Sequence, residues 1–356
     1  MSKVPALLET WLRQVATSDA SDLHCGVGRP PFMRNSGELV AITPEKLDAT
    51  TMASLCEELC PAHKFAELKD VGSTDFSFDF DEDRYRASVF RQRGTMAFVL
   101  RRIPQSRLSF DEIGAPPVLR GLARLPRGMV LVTGPTGSGK TTTLAALIHE
   151  INISKSCHIM TLEDPIEFYH QSEKAVINQR EVGEDVSNFS EALRRALRQD
   201  PDVIMLGEMR DLETTSAAIS AAETGHLVLG TLHTTGAART VDRIIDQYPE
   251  NQQEQIRAQL AVSLQAVVSQ VLLPRKDGKG RIAAFEVMVR NSAIENHIRK
   301  GETFKIPSVM QTQKRLGMQL LDDHLIELVK EGIIARDVAM DAAQLPGDFG
   351  TRLGAS

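Results

Sequence analysis

Phe76, Phe78 and Phe80 alternate with polar residues, and Tyr85, Ala87 and Val89 continue the alternation. Met96, Phe98 and Leu100 repeat it after Gly94. A period of two marks half-buried antiparallel strands, and Asp81-Glu82-Asp83 supplies a turn between the first two. Upstream, residues 6–15 form an amphipathic helical run and residues 21–24 begin a short extended segment. One helix pattern covers roughly residues 47–68. The first hundred residues therefore read as a small α/β unit. Ile103-Pro104 ends its last strand, and residues 105–117 read as a linker.

From Gly121 the pattern changes to continuous apolar runs separated by amphipathic stretches. Residues 129–133, 158–162, 203–206 and 227–232 read as buried strands. Residues 141–152 are helical, and Phe189, Ala192, Leu193, Ala196 and Leu197 share one helix face, capped by Asn188 or Ser190. Residues 211–224 form another helix, with Gly225 as its stop. This alternation predicts a largely parallel sheet covered by helices on both faces. Ligands then sit at the carboxyl ends of the strands, where the polar clusters fall. Beyond Asn291 the chain reads as wholly helical.

Composition narrows the possibilities. The chain has 356 residues, room for two domains, with 42% apolar and 25% charged residues. Its net charge of −6 argues against broad nucleic-acid binding, and 5% aromatic residues are too few for a base-stacking platform. Cys25, Cys56, Cys60 and Cys157 form no C-x-x-C pair and read as buried free thiols. No run of 18 apolar residues is present, and Met1-Ser2-Lys3-Val4-Pro5 opens no signal-peptide core, so a cytoplasmic protein is expected.

Gly134-Pro135-Thr136-Gly137-Ser138-Gly139-Lys140-Thr141 follows a predicted strand and opens a predicted helix, with Thr142 next. That context makes it a phosphate-binding loop: glycines turn backbone N–H groups inward, and the helix N-terminus adds positive charge. Lys140 is expected to bridge the β- and γ-phosphates of ATP, and the Thr141 hydroxyl to ligate Mg²⁺. Glu208, at the end of the run Val203-Ile204-Met205-Leu206, is placed to hold Mg²⁺ or its water. Asp202 stands at the opposite end of that run and reads as structural. In Thr161-Leu162-Glu163-Asp164-Pro165-Ile166-Glu167, Glu163 lies nearest the strand end and is the expected base for the attacking water. His226 and His233 bracket one strand from opposite ends, so one metal cannot take both. His233, at the carboxyl end, is placed either to sense the γ-phosphate or to link neighbouring sites. Arg84, Arg86, Arg91 and Arg93, then Arg101 and Arg102, cluster on the predicted strands of the first unit. They read either as edge protection or as the source of an arginine donated to a neighbouring subunit's nucleotide.

These four blocks, in this order, resemble the Walker A, Asp box, Walker B and His box of the secretion ATPase superfamily, which powers type II and type IV secretion and type IV pili. Gly207-Glu208-Met209-Arg210-Asp211 and Thr224-Gly225-His226-Leu227-Val228 are close to its twitching-motility, or PilT, branch. Ala20-Ser21-Asp22-Leu23-His24 resembles the family's N-terminal signature, and Gly317-Met318-Gln319 its C-terminal helical region. The resemblance implies an α/β fold: a PAS-like domain (1–104), a linker (105–117), a RecA-like P-loop NTPase core (118–290) and a helical C-terminal region (291–356). It further implies a homo-hexamer at the pilus base, peripheral to the inner membrane and acting on a membrane-embedded platform protein. Glu163 becomes the catalytic base, Glu208 the Mg²⁺ group, and Arg84 and Arg101 the candidate arginines reaching a nucleotide. The chain lacks the long N-terminal extension and four-cysteine motif typical of assembly and type II secretion motors, which favours retraction. One segment departs from the branch. Where that branch bears Ala-Ile-Arg-Asn-Leu-Ile-Arg-Glu, this chain has Ala293-Ile294-Glu295-Asn296-His297-Ile298-Arg299-Lys300, which keeps Ile294 and Ile298 but reverses charge at Glu295 and Lys300. Three alternatives stay open: an assembly or secretion ATPase, a non-hydrolysing accessory subunit of a paralogous motor, and a nucleic-acid translocase, the last weakened by the net charge of −6 and the sparse aromatics.

Overall fold

The computed structural model describes residues 4–35, 37–81, 83–104 and 109–354, in two compact units. Met1–Ser106 with Pro165–Tyr169 form one, and Arg107–Asp164 with His170–Ser356 the other. The opening Met1-Ser2-Lys3, Glu82 of the expected turn and residues 105–108 of the expected linker lie outside the described residues.

Among the described residues, the first unit is a six-stranded antiparallel sheet with three helices. In chain order these are α1 (Ala6–Thr17), β1 (Asp22–Gly26), β2 (Phe32–Asn35), β3 (Glu38–Ala41), α2 (Ala49–Leu59), α3 (Ala62–Val71), β4 (Ser73–Phe80), β5 (Asp83–Gln92) and β6 (Thr95–Pro104). The sheet order is β3-β2-β1-β6-β5-β4. The alternating residues Phe76, Phe78, Tyr85, Ala87, Val89, Phe98 and Leu100 bury one sheet face against Leu8, Trp11, Leu12, Met52, Leu55 and Leu59 of the helices. The single helix expected over 47–68 is two. Pro61, extended at φ −54° and ψ 147°, brings no N–H to the ladder and disfavours helix in Cys60, so α2 stops before it and α3 starts after it. Asp48 fixes the start of α2 by accepting the Thr51 N–H at 2.7 Å. The four-residue strands β2 and β3 escaped the sequence reading; β3 is exposed throughout and has no alternation to read. Cys25, Cys56 and Cys60 are buried free thiols, whereas Cys157 is half-buried.

The second unit begins with α4 (Val118–Ala123), β7 (Gly128–Thr133), α5 (Lys140–Ser154), β8 (His158–Glu163), β9 (Val176–Glu181), α6 (Phe189–Ala196), β10 (Val203–Leu206), α7 (Leu212–Glu223) and β11 (Leu227–Leu232). It continues with α8 (Ala237–Ile245), α9 (Glu250–Ser263), β12 (Leu264–Pro274) and β13 (Arg281–Val289). The sheet order is β13-β12-β7-β11-β10-β8-β9, parallel except for the antiparallel edge strand β13. The apolar runs are continuous because both faces are buried. Met129, Leu131, Ile204, Leu206 and Val228 point into one core, with residues of α6 to α9. Val130, Val132, Val203, Met205, Leu227 and Leu229 point into the other, with α4 and α5. Asn188, not Ser190, caps α6 by accepting the Glu191 N–H at 2.9 Å. Asp202 accepts the His158 N–H at 2.8 Å, stitching the amino ends of β10 and β8 together.

After Asn291 the regular elements are helices: α10 (Ser292–Lys300), α11 (Ile306–Thr312), α12 (Leu321–Lys330), α13 (Arg336–Ala342) and α14 (Pro346–Gly354), with short 3₁₀ turns between some of them. Ile294, Ile298, Ile306 and Met310 join the core on the α8–α9 side of the sheet. Ile294 and Ile298 are the positions whose spacing the altered segment preserves.

Candidate nucleotide site

The adjacent strands β7, β11, β10 and β8 end side by side, and their carboxyl ends carry the polar clusters. The chain leaves β7 through Gly134, whose N–H donates to the Leu232 carbonyl at 3.3 Å. Gly134 has φ +145°, and a Cβ there would lie 2.2 Å from the Gln270 carbonyl oxygen, so only glycine fits. Gly137 at φ +76° and Gly139 at φ +86° complete the loop, and α5 starts at Lys140. Pro135, Thr136 and Gly137 are exposed, Ser138 is buried, and Thr141 and Thr142 occupy the half-buried first turn of α5. Lys140 Nζ donates to the carbonyls of Gly134 at 2.9 Å and Pro135 at 3.0 Å, folding its ammonium over the loop.

A residue absent from the motif braces this loop. Gln270 of β12 is 1% exposed, and its Nε2 donates to the Ser138 carbonyl at 2.7 Å. Nothing local singles it out, since β12 carries a second amide at Gln265 and a hydroxyl at Ser269.

At the next strand ends, the Thr231 hydroxyl donates to the Gly207 carbonyl at 2.5 Å, and the Met209 N–H donates to the Thr231 carbonyl at 3.0 Å. These bonds fix the turn that carries Glu208. Glu208 Oε1 meets Arg210 Nε at 2.7 Å and His233 Nε2 at 2.8 Å. Burial alone pushes this carboxyl up, but the Arg210 hydrogen bond and the neighbouring His233 ring outweigh it and hold it below its usual 4.5. The predicted Glu208 and His233 are therefore brought together, with Arg210, which the sequence reading gave no role. His226, at the far end of β11, turns its Nδ1 to the Ala221 carbonyl at 3.0 Å.

Glu163 ends β8 and is 4% exposed. The Gly207 N–H donates to the Leu162 carbonyl at 2.8 Å, and a Cβ on Gly207 would come 3.3 Å from Glu163 Cα. The backbones bearing the two carboxylates thus abut where a side chain would separate them. Thr161 Oγ1 donates to Glu163 Oε1 at 2.6 Å, and Gln179 Nε2 of β9 donates to the same oxygen at 3.1 Å.

The arginines belong to the first unit. Arg84 is 3% exposed; its Nε donates to the Ile166 carbonyl at 2.6 Å, and its guanidinium lies 4.5 Å from the Tyr169 ring centroid and pairs with Asp79 at 3.3 Å. Arg101 has a 68% exposed side chain and pairs with Asp22 at 2.9 Å.

A phosphate loop opening a helix, two carboxylates on adjoining strand ends and a histidine from the next strand end bonded to one of the carboxylates form a constellation suited to phosphoryl transfer. The model of the type II/IV secretion system protein family matches residues 84–330. The chain belongs to that family. Over 335 residues it is 46% identical to the type IV pilus retractation ATPase PilT of Pseudomonas aeruginosa, covering 94% of this chain and 97% of that one. It is 37% identical over 346 residues to the type IV pilus ATPase PilU of the same organism, covering 96% and 90%. A crystal structure of the pilus retraction motor PilT with bound ADP superposes with a TM-score of 0.91 at 43% identity, covering 96% of this chain and 98% of that one. The family match contains every strand of the second sheet, so the α/β fold expected of a secretion-family member is the fold observed. No described helix is long and apolar enough to cross a membrane.

Proposed function

We propose that this chain is an ATPase motor that powers type IV pilus retraction as a Mg²⁺-dependent homo-hexamer. The observation that carries the reading is near end-to-end similarity to a retraction ATPase, at 46% identity. ATP binds with its phosphates in the Gly134–Thr142 loop, where Lys140 exchanges its loop carbonyls for the β- and γ-phosphates. The Thr141 hydroxyl and the Glu208 carboxylate are hard oxygen donors that suit Mg²⁺, the ion that neutralises phosphate charge when bound. Glu163 orients the attacking water and takes its proton. His233, bonded to Glu208, reports the state of the γ-phosphate to helix α8, which follows it. Of the two arginines, Arg101 has the exposed side chain a nucleotide would require, while Arg84 holds its own unit together.

In this reading residues 1–104 form the N-terminal domain, 118–290 the hydrolysis core and 291–356 the helical region. The ring works at the cytoplasmic face of the inner membrane on a pilus platform protein. Purified protein is expected to show a six-subunit mass and Mg²⁺-dependent ATP turnover, and its gene to restore twitching to a strain lacking its retraction ATPase. A monomer without turnover under several buffers would overturn the proposal.

A second reading, an accessory motor subunit acting beside a paralogue, is favoured by one segment. Glu295, where the branch has arginine, pairs with Arg290 at 2.8 Å. Restoration of twitching only when a second motor ATPase is present would select it.

A further inference from the structure

We propose that Gln179 is a positioning residue for hydrolysis, whose amide sets the orientation of the Glu163 carboxylate. The inference rests on Glu163 acting as the base. Strand β9 runs parallel to β8 with Gln179 directly opposite Thr161. Both side chains turn to one atom two residues further on, Glu163 Oε1, at 3.1 Å and 2.6 Å. Two donors on one carboxylate oxygen fix the plane of the group as well as its position.

The glutamine is itself held in one sense. Its Oε1 accepts the backbone N–H of His170 at 2.8 Å while its Nε2 faces the carboxylate. Flipping the amide would set a carbonyl against a carboxylate and an NH₂ against an N–H, so the arrangement is one-way. His170 is the residue at which the chain re-enters this unit after Pro165–Tyr169. Because Glu163 is 4% exposed, bulk water does not replace the amide when it is removed. A general base works only when its lone pair lies in line with the proton it takes, so loss of orientation appears in turnover and not in nucleotide binding.

The test compares wild type, Gln179→Met, Gln179→Glu, Glu163→Gln and the double variant Glu163→Gln/Gln179→Met. Asn178→Ala is the control: Asn178 lies on the same strand and bonds His158 at 2.9 Å. Gln179→Met is near-isosteric without the donor, and it is expected to lower kcat roughly tenfold or more. KM for ATP and the affinity for a fluorescent ATP analogue should stay within about twofold, while the melting temperature falls because the Glu163 carboxylate and the His170 N–H each lose a partner. Gln179→Glu, which replaces the donor by a second carboxylate, should lose at least as much, and it carries the test if the methionine variant does not fold. Asn178→Ala should turn over as wild type does. The double variant should be no slower than Glu163→Gln alone, because the two residues act as one unit. Unchanged kcat in both Gln179 variants would overturn the inference. So would a double variant that loses the same factor again, since that describes a structural role independent of Glu163. Wild-type turnover in Glu163→Gln would instead remove the base itself, a failure of the reading beneath this one.

Discussion

Gln270 and Ser138 are joined by a 2.7 Å hydrogen bond from the Gln270 amide to the Ser138 carbonyl, so the phosphate loop is braced by a strand 132 positions further along the chain. The same strand crowds the loop from the backbone side, because a Cβ on Gly134 would sit 2.2 Å from the Gln270 carbonyl oxygen. Gly134→Ala can relieve that overlap only by moving backbone. It is expected to abolish nucleotide binding, measured by titration with a fluorescent ADP analogue, while the sheet stays folded by circular dichroism. Wild-type affinity in Gly134→Ala would mean the loop does not need its seat on β12.

Lys140 and Glu163 separate binding from chemistry. Lys140→Ala removes the ammonium that now lies on the Gly134 and Pro135 carbonyls, and it should abolish nucleotide binding or turnover. Glu163→Gln keeps the shape of the side chain but not its basicity. It should bind ATP as wild type does and hydrolyse it more slowly by a factor of about 100 or more. Steady-state turnover beside equilibrium binding checks both, and equal turnover in Glu163→Gln and wild type would remove Glu163 from the mechanism.

Arg210 and His233 converge on one oxygen of Glu208, so removing either should change the carboxylate and not the fold. Arg210→Ala takes away the strongest of the influences that hold the Glu208 carboxyl low and leaves burial to push it up. The variant should need more Mg²⁺ for half-maximal turnover, most visibly below neutral pH, because a protonated carboxyl is a poor cation ligand. A Mg²⁺ titration of turnover at pH 6 and pH 8 reads this directly, and identical curves for variant and wild type would separate Arg210 from the site.

How much of this was legible depended on whether the determining contacts were local. Continuous apolar runs named the strands β7, β8, β10 and β11, and each site cluster sits just past one of them. Gly134–Thr142 was readable because a phosphate loop places all of its chemistry in consecutive residues. The break at Pro61 is local too, since proline brings no N–H to the ladder and disfavours helix in the residue before it. Gln270, Gln179 and Glu286 were not legible, because each acts across the sheet on residues far along the chain. Glu286, 4% exposed on β13, accepts the Ala237 N–H at 2.7 Å at the start of α8 and the Gln344 amide at 3.0 Å. In sequence it is one acid in an apolar strand, and nothing near it names its partners.

That buried acid carries a stability prediction. Glu286→Leu leaves the Ala237 N–H and the Gln344 amide without their acceptor inside the protein, and each loss of this kind costs about 1–3 kcal/mol. The variant should unfold at lower denaturant concentration with an unchanged slope, which denaturation followed by circular dichroism measures. A midpoint equal to that of wild type would show that water reaches these groups and replaces the carboxylate.

Acid sensitivity has an identifiable contributor in His170. Burial, reinforced by the charge of nearby His149, pushes its imidazole down from 6.5 to about 4. Between those two values the unfolded chain holds a proton on this ring that the folded chain does not, so protonation favours unfolding. The contribution to stability is therefore fully present above pH 6.5 and is lost progressively as the pH falls toward 4. His170→Asn removes the titrating ring but keeps the backbone N–H that bonds Gln179. Its melting temperature should fall less steeply than that of wild type between pH 6.5 and 4, with the two slopes alike above pH 7. Parallel slopes across the whole range would mean that the folded protein takes up the proton without cost, and that the ring is reached by water in the native state.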